Sequence, residues 1–384
     1  MSKRGFAKLE TYGFLGMHKG VCKFLVLSAV FWAAGLCLYA QDKPKTEPDD
    51  ERIVVNTDLI DVPVVVTDGV GKLVKGLKAS DFKVFEDGVE QEIAEFRTST
   101  EPFDVALLLD TSGSTRSELN LIRRAASRFI ASLRDGDRVG MIAFRTDTVA
   151  GRSKAAVDLL TAITGDRRAL NQALDSVATS NGTPYYDALL GAAERLLKGG
   201  GENRRRVLVV LGDGVDSTSE SVFQEVEEEL LPLGIAVYFI RVDTRPFLEE
   251  NLLGDCQFAM RFSVAQLRRY YSSLGARAER SMDFCKLGDF ERLAVSKRLY
   301  ELADEEMAKL AKATGGRVFP ASDLTEAGAA FASIAEDIGT TYSLGYYSSN
   351  EKRDGKFRRI RVELKDKAGK FGVRAREGYT APAN

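Results

Sequence analysis

The chain has 384 residues, enough for about two domains. Hydrophobic residues make up 44% and charged residues 29%, which supplies the apolar material of a real core and excludes wholesale disorder. Lys+Arg number 54 against 56 Asp+Glu, so no global basic field attracts nucleic acid, and no nucleic-acid partner is expected. The one histidine, His18, falls in a stretch of targeting character, which excludes a Ser-His-Asp triad, a Cys-His pair and histidine-based metal sites from the body of the chain.

Lys3, Arg4, Lys8, Lys19 and Lys23 make a basic region ahead of an apolar run from Phe24 to Ala40, and polar sequence then begins abruptly at Gln41. This is the layout of a secretory signal cut after Ala40. An uncleaved anchor is the alternative, since the run would span about 25 Å as a helix against a hydrocarbon core of about 30 Å. Either way residues 1–40 carry the body out of the cytoplasm, and membrane contact is expected only through such an anchor. Leu36 before Cys37 speaks against a lipid-attachment site. Without residues 1–40 the chain keeps 49 Lys+Arg and 55 Asp+Glu, a net charge of −6. Cys22 and Cys37 go with that segment, leaving Cys256 and Cys285 to pair as a disulfide or stay as two free thiols.

Residues 41–51 are Pro-rich and charged, the composition of a solvated linker. Beyond them, Ile60, Val62, Val64 and Val66 lie on one face of an alternating strand that ends in the turn Asp68-Gly69-Val70-Gly71. Phe82 to Phe85, then Asp87-Gly88, then a strand through Ile93 to Phe96 predict a hairpin. Residues 52–100 are too few for an independent core.

The regime changes at Phe103. Val105 to Leu109 is an unbroken apolar run, the pattern of a strand buried on both faces, and a helical pattern with Leu121, Ile122, Ala125, Phe129 and Leu133 follows. Strands at Val139–Phe144, Val207–Leu211 and Ile235–Ile240 alternate with helical patterns at 167–177, 184–198 and 219–231. Such alternation implies βαβ crossovers and a parallel sheet covered by helices on both faces. Residues 245–300 interrupt the rhythm as an Arg-, Leu- and Phe-rich helical insertion holding both remaining cysteines. A helix at 302–313, a strand at Gly316–Phe319 and a helix at 323–338 resume it, and strands at Tyr342–Tyr347, Phe357–Leu364 and Phe371–Ala375 end the chain. The expected organisation is an α/β domain over 101–340 inserted into one small β-sandwich made from 52–100 and 341–384.

Asp110-Thr111-Ser112-Gly113-Ser114 follows the first buried strand, and Asp213, in Gly212-Asp213-Gly214-Val215-Asp216, follows the strand at Val207. In open α/β sheets, ligands bind outside these carboxyl ends. Thr183 precedes a helix in Asn181-Gly182-Thr183-Pro184-Tyr185-Tyr186-Asp187. If these loops meet, carboxylates repel at close range until a hard divalent cation neutralises them, and hydroxyl and carboxylate oxygens suit Mg²⁺. Each serine or threonine taken singly reads as well as a helix cap. Asp187 and Asp216 stand close by, either as loop carboxylates or as groups orienting water and hydroxyls.

Asp110-x-Ser112-x-Ser114, Thr183 and Asp213, in that order, resemble the metal-ion-dependent adhesion site of von Willebrand factor type A domains, over about residues 101–340. The flanks Val64–Asp68, Leu77–Gly88, Tyr342–Tyr347 and Arg374–Tyr379 are similar to a bacterial secreted subgroup of von Willebrand A-related proteins. The resemblance implies a Rossmann-like fold with a central, mostly parallel sheet. It further implies that Asp110, Ser112, Ser114, Thr183 and Asp213 hold Mg²⁺ (with Mn²⁺ or Ca²⁺ as alternatives), directly or through water. A partner protein's Glu or Asp completes the coordination, and no reaction is catalysed. It gives no role to the insertion. Two rivals remain open. Leu107–Asp110 with Gly212–Asp216 also resembles haloacid-dehalogenase-type phosphatases, although Ser112 stands where their acid/base carboxylate belongs. In the other rival, an envelope scaffold, the metal would only stabilise loops. Gly199-Gly200-Gly201 precedes a strand and is no P-loop, and Arg204-Arg205-Arg206 reads as the solvated start of that strand.

Overall fold

The computed structural model describes residues 59–98, 102–113, 119–149, 152–198, 204–275, 283–365 and 370–383. All belong to the second of the chain's two units, Asn56–Asn384. Residues 1–40, read above as a targeting segment, residues 41–51, read as a linker, and Ser114 lie outside the described residues. No helix among the described residues is long and apolar enough to cross a membrane.

The described elements begin with strands β1 (Leu59–Asp68), β2 (Phe82–Glu86), β3 (Val89–Gln91), β4 (Ile93–Arg97) and β5 (Phe103–Leu109). Helix α1 (Leu119–Ser132) leads to β6 (Arg138–Val149) and β7 (Arg152–Thr164), then α2 (Arg167–Ser176), α3 (Tyr185–Ala192) and β8 (Arg205–Gly212). Next come α4 (Phe223–Leu230), β9 (Ala236–Val242), α5 (Arg245–Leu252), α6 (Val264–Ser273) and α7 (Asp289–Thr314). The chain closes with β10 (Arg317–Ala321), α8 (Ala327–Thr340), β11 (Tyr342–Tyr347), β12 (Phe357–Leu364), β13 (Phe371–Ala375) and β14 (Gly378–Thr380).

The central sheet runs β10-β9-β8-β5-β6-β7, parallel throughout except for the antiparallel β6–β7 edge. Its middle strand β5 is buried at every residue, as its unbroken apolar run requires. Alternate side chains serve two cores. Ala106 and Leu108 pack under α3, α4 and α7, whereas Val105, Leu107 and Leu109 pack under α1, α2 and α8. The expected α/β architecture, a mostly parallel sheet with helices on both faces, is what the chain forms.

Two antiparallel four-stranded sheets, β13-β1-β11-β4 and β14-β12-β2-β3, draw strands from both ends of the described chain. Their inner faces share one core containing Val62, Val64, Phe82, Val84, Leu344 and Ile360. Asp87 (φ 46°) and Gly88 (φ 88°) make the turn between β2 and β3, the positive-φ pair that a two-residue hairpin demands. The stretch read as a single partner strand through Ile93 is divided: β3 pairs with β2, and β4 crosses to the other sheet to pair with β11.

Three further differences from the sequence reading stand out. Strand β7 has no counterpart in it: Ala155, Val157 and Leu159 alternate, but Ala156, Leu160 and Ala162 on the other face blur the pattern. Helix α7 starts at Asp289, so the last part of segment 245–300 already belongs to the long helix that covers the sheet. The Arg204–Arg206 run is not a solvated face. Arg204 binds Asp104 (2.7 Å) and the Gly136 carbonyl (2.6 Å), Arg205 binds the Thr341 carbonyl (2.7 Å), and Arg206 the Leu197 carbonyl. Arg205 and Arg206 thus satisfy carbonyls of buried residues at the sheet's amino edge, while Arg204 ties the edge to the exposed Gly136 carbonyl.

Candidate metal centre

β5 and β8 are hydrogen-bonded neighbours, so the residues that follow them emerge side by side at the carboxyl edge of the sheet. The Asp110 N–H donates to the Leu211 carbonyl (2.8 Å), carrying the pairing one step past β5. Each strand then turns in the same way. The Ser112 N–H donates to Asp110 Oδ1 (2.9 Å) and the Val215 N–H to Asp213 Oδ1 (2.8 Å). Two Asx turns therefore hold both carboxylates at the carboxyl edge of the sheet, Asp213 one residue further along its strand than Asp110.

The Thr111 hydroxyl accepts from the Phe144 N–H (3.1 Å) and donates to the Phe144 carbonyl (3.0 Å), tying the Asp110 loop to β6. The Ser180 N–H donates to the Thr111 carbonyl (2.7 Å), which brings in the loop before α3. Thr183 is fixed against the loop after β8: its N–H donates to Ser217 Oγ (2.8 Å) and its carbonyl accepts from the Ser217 N–H (3.0 Å). Ser112, Thr183 and Asp213 consequently line one cavity of about 180 Å³. The structure thus brings together Asp110, Ser112, Thr183 and Asp213.

Both carboxylates are buried, Asp110 at 2% and Asp213 at 7% exposure. Burial and the nearby charge of Asp213 push the Asp110 carboxyl up to about 7. Burial raises Asp213 as well, against hydrogen bonds from Thr244, Val215 and Tyr300 and the charge of Arg241. The hydrogen-bond donors facing this pair are neutral, and Arg241 is itself bound to Asp304 (2.8 Å). Two buried carboxyls whose joint ionisation is disfavoured without a counter-charge, beside hydroxyl oxygens, form a donor set that fits a hard divalent cation. Among the described residues, no three or more Asp, Glu, His or Cys cluster in a way that would hold a metal, so any ion here relies on hydroxyl oxygens beside the two carboxylates.

The two weaker candidates each accept backbone hydrogen bonds at a helix start. Asp216 Oδ2 accepts from the Tyr185 N–H (2.9 Å) at the start of α3. Asp187 accepts from the Glu220 and Ser221 N–H groups (3.1 Å each) ahead of α4. Cys256 and Cys285 are joined by a disulfide, with Cα atoms 5.2 Å apart.

Sequence reasoning missed the groups that position Asp213. The Thr244 hydroxyl binds Asp213 Oδ2, and Tyr300 Oη lies 2.7 Å from Thr244 Oγ1 and 3.5 Å from Asp213 Oδ2. Thr244 follows β9 at the same edge of the sheet, so the strand-end rule that found Asp110 and Asp213 would have reached it. Tyr300 lies inside a helix and carries no such signal. Leu248, Met260, Arg261, Phe262 and Gln266, all from segment 245–300, complete the cavity wall.

Residues 104–254 match the family model described as the von Willebrand factor type A domain, and the chain carries a domain of that family. No curated protein matches the sequence. Among solved structures, the chain is similar to a conserved hypothetical protein, BatB, from Bacteroides thetaiotaomicron: 20% identity, 62% of this chain and 97% of that one, TM-score 0.39. It is also similar to a von Willebrand factor type A protein from Catenulispora acidiphila: 12% identity, 85% of this chain and 75% of that one, TM-score 0.38. A third is proximal thread matrix protein 1 from the mussel byssus with a zinc-occupied MIDAS motif: 11% identity, 66% of this chain and 50% of that one, TM-score 0.41.

Proposed function

We propose that the von Willebrand factor type A domain of this chain is an extracytoplasmic, metal-dependent protein-binding module. Asp110, Ser112, Ser114, Thr183 and Asp213 would hold the ion, Mg²⁺ by the hardness of this donor set, with Mn²⁺ or Ca²⁺ as substitutes. When bound, the ion supplies an electrophilic point that accepts a Glu or Asp carboxylate from a partner protein. The observation that carries this reading is the pair of neighbouring buried carboxylates, Asp110 and Asp213, the second lining a cavity with Ser112 and Thr183, and neither hydrogen-bonded to a cationic side chain among the described residues. The basic and apolar sequence of residues 1–40 and the Cys256–Cys285 disulfide support an extracytoplasmic location.

Binding without turnover is the expected behaviour. Asp110 occupies the position of a phosphatase nucleophile, but Ser112 cannot act as the general acid two residues on, so a generic aryl phosphate should not be hydrolysed. A scaffold whose metal only stabilises loops would keep its contacts in chelator, whereas the module proposed here loses them. The direct test is thermal unfolding with and without Mg²⁺. The wild-type protein should be stabilised, and Asp110→Ala and Ser112→Ala should each abolish the shift. A wild-type shift retained in both variants would remove the site assignment.

A further inference from the structure

Segment 245–288 has no role in the resemblance that identifies the site, yet it builds one wall of the cavity. Arg261 sits on that wall beside Ser112, Thr183 and Asp213. Its Nε and Nη2 donate to the Cys256 carbonyl (3.2 and 3.0 Å), so the disulfide that fixes Cys256 also fixes the guanidinium. The Nη1 edge is left over: among the described residues no acid pairs with Arg261, and the residue is exposed. Gln266, buried at the start of α6, lines both this cavity and a neighbouring one of about 550 Å³. There the acids are already matched. Glu306 pairs with Arg269 (2.7 Å), Glu220 with Lys154 (2.5 Å), and Asp216 accepts from the Tyr185 N–H. Arg268, on the rim of that second cavity, is exposed and has no acidic partner among the described residues. Between Cys256 and Ala278 the sequence contains Arg261, Arg268, Arg269 and Arg277 and no acid at all.

We propose that Arg261, with Arg268 behind it, binds a second carboxylate of the partner, so that the site selects an acidic segment rather than a lone Glu or Asp. This rests on the metal-dependent reading above. Charge balance supports it. A divalent ion is neutralised by Asp110 and Asp213, so a partner carboxylate leaves one uncompensated negative charge, and further acids repel unless a fixed cation stands beside them. A guanidinium held by its own backbone contact is pre-organised for this, since less side-chain freedom is lost on binding.

Two capped peptides serve as probes, one with a single aspartate among glycines and one with two aspartates separated by one glycine. They are titrated into the full chain in Mg²⁺ at low ionic strength. The two-acid peptide should bind wild type about three- to tenfold more tightly, the range for a partly exposed charge-assisted contact. In Arg261→Gln the ratio should fall to about one, and in Arg261→Lys it should lie between. Chelator should abolish binding of both peptides to wild type. A ratio of one in wild type, or an unchanged ratio in Arg261→Gln, with binding still chelator-sensitive, overturns this inference alone. Binding that survives chelator overturns the metal reading beneath it, and no binding of either peptide overturns both.

Discussion

The Asp110 carboxylate packs directly over Gly212: a Cβ at position 212 would lie 2.8 Å from Asp110 Cβ and 2.9 Å from its Oδ2. This proximity explains why the strand before the second acid ends in glycine. It also links one metal-ligand candidate to the loop of the other, because Gly212 immediately precedes Asp213. Gly212→Ala should push the Asp110 side chain out of place, costing about 1–3 kcal/mol of overpacking. Chemical denaturation should report that loss, and a Mg²⁺ titration of the melting temperature should show a weakened or absent shift.

Thr244 binds the Oδ2 of Asp213 and is braced by Tyr300. Removing a group that orients a metal ligand typically costs about 10–100-fold in affinity. Thr244→Val, which keeps the shape and deletes the hydroxyl, should weaken Mg²⁺ binding by that order. Tyr300→Phe should have the smaller effect, since its own contact with Asp213 is 3.5 Å. Isothermal titration with Mg²⁺ separates the two, and equal affinities across wild type and Thr244→Val would show that Asp213 needs no such support.

The parts legible in the sequence were those governed by short-range rules. The unbroken run Val105–Leu109 could only be a doubly covered strand, and Asp110 and Asp213 follow from the rule for strand ends. The turn at Asp87-Gly88 was legible because it needs positive φ at both residues. What escaped depends on long-range contact. Nothing local in Glu92 says that the chain there leaves one sheet for the other. Arg204, Arg205 and Arg206 read as surface charges because their carbonyl partners, at Phe103, Gly136, Leu197 and Thr341, are distant or lie outside any motif. The Arg-rich segment from Arg261 to Arg280 reads in the sequence as an amphipathic helix packed on the domain or as a partner-binding face. The place of Arg261 beside the site was not legible, because it depends on a disulfide to Cys285 and on the packing of α6 against α7.

The Cys256–Cys285 bond closes a sequence separation of 29 residues around α6. In the chain-entropy account a loop of this length contributes about 2–4 kcal/mol. The pair Cys256→Ser with Cys285→Ser should therefore lose stability of that order. The loss should concentrate in the segment that walls the cavity, because the central sheet has its own cores on both faces. Hydrogen exchange should accelerate between Leu253 and Phe262 while β5 and β8 remain protected. Uniform acceleration across the sheet would mean that the insertion and the sheet open as one unit.

At the opposite edge of the sheet, Asp104 is 2% exposed and receives Arg138 through two bonds (2.8 and 2.6 Å) and Arg204 through a third (2.7 Å). Burial pushes its carboxyl up, but the hydrogen bonds and charges of Arg138 and Arg204 outweigh burial and hold it below the ordinary aspartate value of 3.8. Its folded state thus favours the ionised form. The resulting stability is fully present above the unfolded value and is lost as pH falls through the lower folded one. Asp104→Asn should cost about 1.5–3 kcal/mol at pH 7, toward the lower end because Arg138 is partly exposed to solvent. The gap between wild type and variant in urea midpoint should stay constant from pH 7 to about pH 5 and shrink below pH 4. A gap that widened on acidification would reverse the sign and show that the three-way contact does not favour the charged carboxylate.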